Sequence, residues 1–539
     1  MGFLIGLLIL ISAFFRVPGL AHYPPELFGD EVDVGYQAMS LFHTGRDLYN
    51  QPLPIYLHSL SEWREGLIVY QLVPTIAIFG HTPLAVRLPE ALFGTLTPLI
   101  LFLTLYSFTR NKTLAFLASL SLALMPWHIM YSRMAAFGVA TLTDFLLLAV
   151  LFYRRRRFAF SFLFFALAIY TYSTAYIFVP LFLIALFFVL KTRPRLWHYL
   201  LFVLFVAPLI YEVFLGPARQ RFGVLSFTSQ SEFVNNIQTL RVQYPALIGK
   251  SFNNKYLASL NLFTQNYLRA FSTDFLFVRG DPVVRSSLQV VGQLLPLSAP
   301  FVLLGLFFLA QRRQWLWLVW LGLAPIPSAM TYDGAFHATR LFLMVPPLAV
   351  ATGLGLNEFI SWFPRVAKPA VSLVLAGLFA VHLFGIAGYY IYVYPAASWR
   401  WWPTGYAAIM TDLQKYSPSY SHVFINNTFE PSLIRFLFWT DYSPEQFHQN
   451  FTLDQPIPGI APFYTGFKLG DKYYFGDFAA PAGVSYYDHL LPNSLYLISQ
   501  RDNVPGNWDW SVSPPAGVRV LSTVRTPLGD PEFYLITAK

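Results

Sequence analysis

Long runs of apolar residues constrain this chain more than any other feature. Such runs occupy 98–108, 114–127, 145–153, 177–190 and 369–387, and several approach the roughly 20 residues that a helix needs to cross a bilayer. Hydrophobic residues make up 55% of the sequence and charged residues 12%, about half the charge of a soluble domain. The pattern predicts a polytopic α-helical membrane protein. The apolar segment 1–15 lacks a basic leader and a small-residue cleavage site, so we expect a retained first helix rather than a signal peptide.

Short basic connectors predict how the helices are oriented. Five of them together hold 13 Lys or Arg and no acid, at 110–112, 154–157, 191–195, 312–313 and 364–369. The positive-inside rule assigns all five to the cytoplasm. The intervening connectors then lie on the outer face, including a first outer loop at 19–87 and a long loop at 216–288. The net charge of +9 is explained by this placement, and we expect no nucleic-acid partner.

One apolar stretch, 66–80, tests this topology. It is short for a crossing, it contains Pro74, and counting it as a span would invert every later helix. We therefore assign it to the outer interface as a juxtamembrane segment. Eleven spans remain, with the N-terminus in the cytoplasm and the protein in the plasma membrane: 1–18, 88–108, 113–131, 136–153, 158–173, 176–190, 197–215, 289–311, 314–330, 340–358 and 369–392.

The sequence changes character near residue 396. Residues 396–539 contain a polar helical segment, "GYAAIMTDLQKY", and strand-like runs, "HVFINN", "SLYLIS", "VRVLST" and "EFYLIT". They predict an extracytoplasmic α/β domain that follows a transmembrane domain at 1–395. The chain has no cysteine, so this domain is held by packing without disulfides.

Polar motifs gather on the outer face in this topology. The stretch "FGDEVDVGYQ" (28–37) supplies the carboxylates of Asp30 and Glu31. A carboxylate can take a proton from a hydroxyl nucleophile, and the planar fork of arginine suits a phosphate. Together these groups can transfer a substituent from a lipid phosphate to an alcohol. The expected phosphate-binding residues are Arg64, Arg133, Arg279, His337 and Arg340, and the expected pocket residues are Glu62, Glu65, Tyr172 and Asp281.

Each of these groups also has a structural interpretation. Asp30 could be the N-cap of a helix, with Asp33 at the third helical position. Arg133 and Arg340, at helix ends, could anchor the protein at the membrane surface. No His-x-x-x-His or Glu-x-x-His pair is present, so we predict that His337 forms hydrogen bonds and that the protein has no metal site.

These motifs, in this order, resemble the bacterial members of glycosyltransferase family 39. That family belongs to the GT-C superfamily, together with protein O-mannosyltransferases and aminoarabinose transferases. The likeness runs through "PPELFGDEVDVGYQAMSLFHTGRD", "FGHTPLAVRLPEALFG", "MPWHIMYSRMAAF", "AIYTYSTAYIFVPL", "FLFVRGD" and "PIPSAMTYDGAFHATRLFLMVPPLAV". It covers nearly the whole chain. The resemblance implies a GT-C fold, with an acidic motif in the first outer loop and an outer C-terminal domain.

The resemblance also implies a reaction. Members transfer a sugar from a polyprenyl-phosphate donor, generally with inversion, and the first acid of the Asp-Glu pair is the proposed base; it corresponds to Asp30, with Glu31 beside it. Many relatives carry a second acid near 137–138, where this chain has Phe137 and Gly138. We therefore expect catalysis without a cofactor or metal, although Asp30 and Glu31 could hold a divalent cation.

Two other classes of function are compatible with the residues. A transporter or flippase of lipid-linked saccharide would need polar residues along a membrane path. Asp144, inside a span, could mark such a path or could bond to Thr141 or Thr143. A non-catalytic scaffold is the third possibility. The sequence does not identify the sugar, or whether the acceptor is a protein, a lipid or a glycan.

Overall fold

The structure is a computed structural model that describes residues 1–60, 63–135, 137–216, 231–243, 251–451, 456–481, 484–501 and 509–539. Every predicted span contains at least one helix. The helices up to residue 269 are Gly2–Arg16, Gly29–Thr44, Leu67–Phe79, Pro83–Thr109, Lys112–Ala123, Pro126–Tyr131, Val139–Arg154, Phe158–Ile169, Ala175–Leu190, Leu196–Phe214, Ser231–Val242 and Lys255–Arg269. The later ones are Ala299–Gln311, Trp315–Leu323, Ile326–Ala329, Ala338–Leu341, Val345–Ser361, Lys368–Tyr392, Tyr394–Ala397, Tyr406–Tyr416, Leu433–Trp439 and Pro444–Asn450.

Four helical segments in the described part of the chain are long and apolar enough to cross a membrane: Pro83–Thr109, Leu196–Val213, Ala338–Ser361 and Lys368–Tyr392. Shorter apolar helices accompany them, including Gly2–Arg16 and Ala175–Leu190. Each of the five basic connectors separates two consecutive helices. The chain is therefore a polytopic helical membrane protein in architecture, and the number of crossings stays a prediction.

Several predicted spans differ from the helices in their ends. The predicted span 113–131 breaks after Ala123, directly before Pro126, and the span 314–330 breaks next to Pro325. The predicted span 289–311 becomes regular helix only from about residue 296, where Pro296 begins a 3-10 turn. These breaks follow from proline, which lacks the N–H that a helix interior requires.

The first outer loop is an ordered layer. The helix Gly29–Thr44 is followed by a hairpin of β1 (Tyr56–His58) and β2 (Trp63–Glu65), in which Leu57 pairs with Arg64. The segment predicted to be juxtamembrane forms the separate 13-residue helix Leu67–Phe79. Gly66 joins the hairpin to this helix, and a Cβ at Gly66 would lie 2.6 Å from the carbonyl oxygen of Ile55. Glycine is required there because only a residue without a side chain permits that approach.

The C-terminal part contains a mixed seven-stranded sheet. Its strands are β3 (His422–Asn426), β4 (Ile457–Ala461), β5 (Tyr464–Leu469), β6 (Tyr473–Phe478), β7 (Ser494–Ser499), β8 (Val518–Arg525) and β9 (Pro531–Ala538), in the order β4-β5-β6-β3-β7-β9-β8. β3 is parallel to β6 and β7, and the other neighbours are antiparallel. All four strand-like runs of the sequence are strands, which confirms the predicted C-terminal sheet domain.

The first outer loop and the C-terminal domain share one hydrophobic core. Tyr36 and Leu72 from the loop are buried in the same cluster as Ile409 and Phe438 from the domain. The Tyr36 hydroxyl also donates a hydrogen bond to the Tyr442 carbonyl, at 2.8 Å. This shared core fixes the helix that carries Asp30 against the domain.

Candidate active site

A cavity of about 690 Å³ lies between the first outer loop and two later loops, one around residue 281 and the other around residue 337. The helix Lys255–Arg269 closes one side through Leu262, Asn266 and Arg269. Seven of the predicted site residues line this cavity: Asp30, Arg64, Glu65, Tyr172, Asp281, His337 and Arg340. The structure therefore brings together residues that are up to 310 positions apart in the sequence.

Asp30 is the second residue of the helix Gly29–Thr44. The N-cap position is occupied by Phe28, and no side chain caps this helix, so the predicted capping roles of Asp30 and Asp33 are wrong. The Asp30 side chain is 34% exposed and its Oδ1 lies 3.2 Å from Arg64. Arg64 also lies 3.2 Å from Asp33. The carboxylate is thus open to the cavity and is held from one side by a cation.

Glu31 points away from the cavity that Asp30 lines. Its carboxylate is fully buried and is bound by two nitrogens of Arg87, at 3.0 and 2.9 Å. It also accepts a hydrogen bond from the Ala135 N–H. Consecutive helical residues point about 100° apart because the helix has 3.6 residues per turn. The Glu31 side chain therefore does not line the cavity beside Asp30, and it forms a buried ion pair with Arg87 instead.

Asp281 and His337, which lie on two separate loops, belong to the opposite wall of the cavity. Asp281 accepts hydrogen bonds from the N–H groups of Ala338 and Val283, both at 2.8 Å. Burial raises the pKa of Asp281 to about 6. Burial, together with the charge of Arg340, lowers the pKa of His337 to about 4. His337 is thus neutral at pH 7, and it can offer a hydrogen bond but not a positive charge.

Arg340 forms an ion pair with Asp333 and donates a hydrogen bond to Thr331 at 2.7 Å. Burial alone would raise the pKa of Asp333, but the charge of Arg340 and its hydrogen bond to Asp333 together outweigh burial and lower that pKa. Arg340 faces the cavity, so it is available to a ligand as well as to its carboxylate partner.

Arg285 is a cavity residue that the sequence analysis missed. Its guanidinium carbon lies 4.0 Å from the centre of the Phe28 ring. Phe28 is two residues before Asp30 in the sequence. In the described part of the chain the buried Nε of Arg285 has no hydrogen-bond partner. The only signal was its place four residues after Asp281 in an outer loop, which is too weak to select one arginine among several.

Two further predicted residues, Arg279 and Arg133, do not line the cavity. Arg279 is 72% exposed and pairs with Asp274 on the surface, at 3.4 Å. Arg133 binds backbone carbonyls at the end of the first helix and in the turn after it, including those of Arg16 and Pro18 at 3.0 Å. Glu62 lies outside the described residues.

Metal-ligand geometry is absent from the residues that the structure describes, where no three His, Asp or Glu side chains cluster closely enough for an ion. Asp30 and Glu31 point to different sides, so they do not form the cation site considered from the sequence. The predicted partners of Asp144 are also occupied elsewhere: Thr141 donates to Glu90 and Thr143 to the Val139 carbonyl.

Comparison with known proteins identifies the fold. No family model matches the sequence, and no curated protein matches it. Among solved structures, the chain is similar to ArnT from Cupriavidus metallidurans bound to undecaprenyl phosphate, with a TM-score of 0.52 and 12% identity over 99% of this chain and 97% of that one. The apo form of the same ArnT gives a TM-score of 0.43 and 13% identity over the same shares. At 12% identity the first match shows that this chain shares the fold of that ArnT structure.

Proposed function

We propose that this protein is a membrane glycosyltransferase that moves a sugar from a polyprenyl-phosphate donor to an acceptor hydroxyl, with inversion. The observation that carries the proposal is the cavity in which Asp30 meets Arg64, Arg285 and Arg340. Support comes from the fold of ArnT, which has been solved with undecaprenyl phosphate bound.

Asp30 is the proposed base. The acceptor oxygen attacks the anomeric carbon, its proton passes to the Asp30 carboxylate, and the bond from that carbon to the phosphate oxygen breaks. The electron pair of the broken bond leaves with the phosphate. Arg64 holds Asp30 in place through their ion pair. Arg285 and Arg340 stabilise the charge of the leaving phosphate, for which a preorganised cation is effective.

The membrane topology completes the proposal. Eleven spans with the five basic connectors in the cytoplasm place the N-terminus inside and the cavity at the outer face of the plasma membrane. The cavity then lies at headgroup level, where a donor phosphate would be found. The reaction needs no metal in this scheme, since the residues of the chain supply both the base and the cations.

The test is donor turnover by the purified protein in nanodiscs. Undecaprenyl-phosphate hexoses and pentoses are supplied with a membrane extract as acceptor, and release of undecaprenyl phosphate is measured. We expect Asp30→Asn to lower the rate by about 10²- to 10⁴-fold without changing the thermal midpoint. Asp274→Asn, on the surface outside the cavity, is the matched control. Full activity of the Asp30 variant would refute the base assignment, and no turnover of any donor by the unmodified protein would refute the proposed function.

A further inference from the structure

A second polar cavity, of about 580 Å³, lies in the C-terminal domain. It forms where the segment after the last membrane helix meets the end of β7 and the start of β9. It does not share residues with the candidate active site. The side chains that give it its chemistry are Trp399, Arg400, Phe429, Arg501, Asp530 and Glu532.

The Glu532 side chain is buried in the wall of this cavity. It is 3% exposed, and neither of its carboxyl oxygens has a hydrogen-bond partner in the described part of the chain. Its backbone is fixed, because its carbonyl accepts a hydrogen bond from the Gln500 N–H at 2.8 Å. Buried polar groups are nearly always paired, so an unpaired carboxyl that lines a cavity points to a missing ligand.

The state of this carboxyl indicates which ligand suits it. Burial, with a contribution from Glu26, raises the pKa of Glu532 to about 8. The group is therefore mostly protonated at pH 7, and it can both donate and accept hydrogen bonds. A hydroxyl, which also donates and accepts, is its natural partner.

The other walls agree with a neutral, hydroxyl-rich ligand. The guanidinium of Arg501 lies 4.3 Å from the Phe429 ring centre, and that of Arg400 lies 5.1 Å from Trp399. With Glu532 protonated, the two arginines face the single charge of Asp530, so the cavity carries no more than one excess positive charge. Aromatic surfaces combined with a few fixed polar groups are typical of small-molecule sites, and a sugar ring presents both an apolar face and hydroxyls.

We propose that this cavity binds a sugar residue of the acceptor, which makes the acceptor a glycan or a glycolipid. A chain of contacts connects it to the candidate base. Phe429, in the cavity wall, is followed by Glu430. The Glu430 carboxylate packs against Gly29, where an added Cβ would lie 3.6 Å from its oxygen. Gly29 directly precedes Asp30. The role in acceptor binding rests on the proposed transfer reaction, whereas sugar binding itself does not.

The test is sugar binding by the full-length protein in nanodiscs without donor, measured by saturation-transfer NMR and calorimetry. The probes are the methyl glycosides of glucose, galactose, mannose and N-acetylglucosamine. We expect at least one to bind, and Glu532→Gln and Trp399→Ala to weaken its affinity by about tenfold or more. Asp471→Asn, which removes only a surface ion pair with Lys468, should leave the affinity unchanged.

Two results would overturn the proposal: no binding of any probe, or equal binding by the unmodified protein and both cavity variants. Circular dichroism verifies folding, and Arg501→Ala replaces any variant that does not fold. The outcomes separate the two proposals. Sugar binding without donor turnover refutes the transfer reaction alone, and turnover without sugar binding refutes the acceptor cavity alone.

Discussion

Replacing Glu31 by glutamine tests whether the second acid of the Asp-Glu pair is structural. The amide keeps the shape of the carboxylate but removes its charge. Arg87 is also fully buried, so it loses its counter-ion in a place that water does not reach. Its remaining partners are the carbonyls of Leu20, Pro24 and Glu26, which cannot neutralise a positive charge.

The expected loss of stability is about 3–5 kcal/mol, the usual cost of breaking a buried ion pair by removing one partner. Cooperative unfolding of all 539 residues with an entropy of about 2.1 cal/mol/K per residue would lower the thermal midpoint by about 3–4 °C. The double variant Glu31→Met, Arg87→Met should be more stable than Glu31→Gln, because it leaves no unpaired buried charge.

The assay is thermal unfolding of purified protein in nanodiscs, together with donor turnover at a temperature where the variant is folded. The exposed carboxylate variant Glu445→Gln is the control, and its midpoint should match that of the unmodified protein. If Glu31→Gln unfolds at the unmodified temperature but fails to turn over donor, then Glu31 acts on the substrate and the structural assignment is wrong.

Further perturbations test other parts of the site and the domain. Arg285→Ala should raise the KM for the polyprenyl-phosphate sugar at least tenfold through loss of a charge-assisted contact, whereas Arg279→Ala should not; equal KM values in steady-state kinetics would contradict the phosphate role. The pKa of Glu532 lies above its ordinary value of 4.5, so the unmodified protein loses stability as the pH rises from about 4.5 to about 8. Glu532→Gln should therefore have the higher thermal midpoint at pH 9 and a similar one at pH 5. Glu26 accepts hydrogen bonds from N–H groups at the start of the helix 406–416. Glu26→Ala should therefore weaken the contact between the first outer loop and the C-terminal domain and speed limited proteolysis near 393–405. A proteolysis rate equal to that of the unmodified protein would contradict this role of Glu26.

The helical architecture could be predicted from the sequence because its signals are local. Apolar runs and basic connectors report directly on what each segment can do in a bilayer, and all eleven predicted spans contain helices. The strand-like runs after residue 396 were equally informative. The ends of spans were less predictable, since Pro126 and Pro325 break helices that hydropathy alone extends through them.

The site was predicted only in part, because burial and direction are not local. The sequence grouped Asp30 with Glu31, but one position along a helix separates an open carboxylate from a fully buried one. It grouped Arg133 and Arg279 with Arg64, since the predicted topology assigns all three to the outer face. Packing decides where each side chain lies. Arg133 binds backbone carbonyls, Arg279 lies on the surface, and Arg64 is held by a hairpin beside Asp30.

The helix Gly29–Thr44 connects these observations. At Gly35 a Cβ would lie 2.8 Å from Phe438 of the C-terminal domain and 2.9 Å from Val86 of the helix Pro83–Thr109. The helix is therefore clamped between the membrane region and the domain, with close contact on both sides. A catalytic carboxylate is most effective when its support is rigid. The C-terminal domain thus fixes the helix that carries Asp30, and a sugar bound in its cavity would be held by the same body that holds the proposed base.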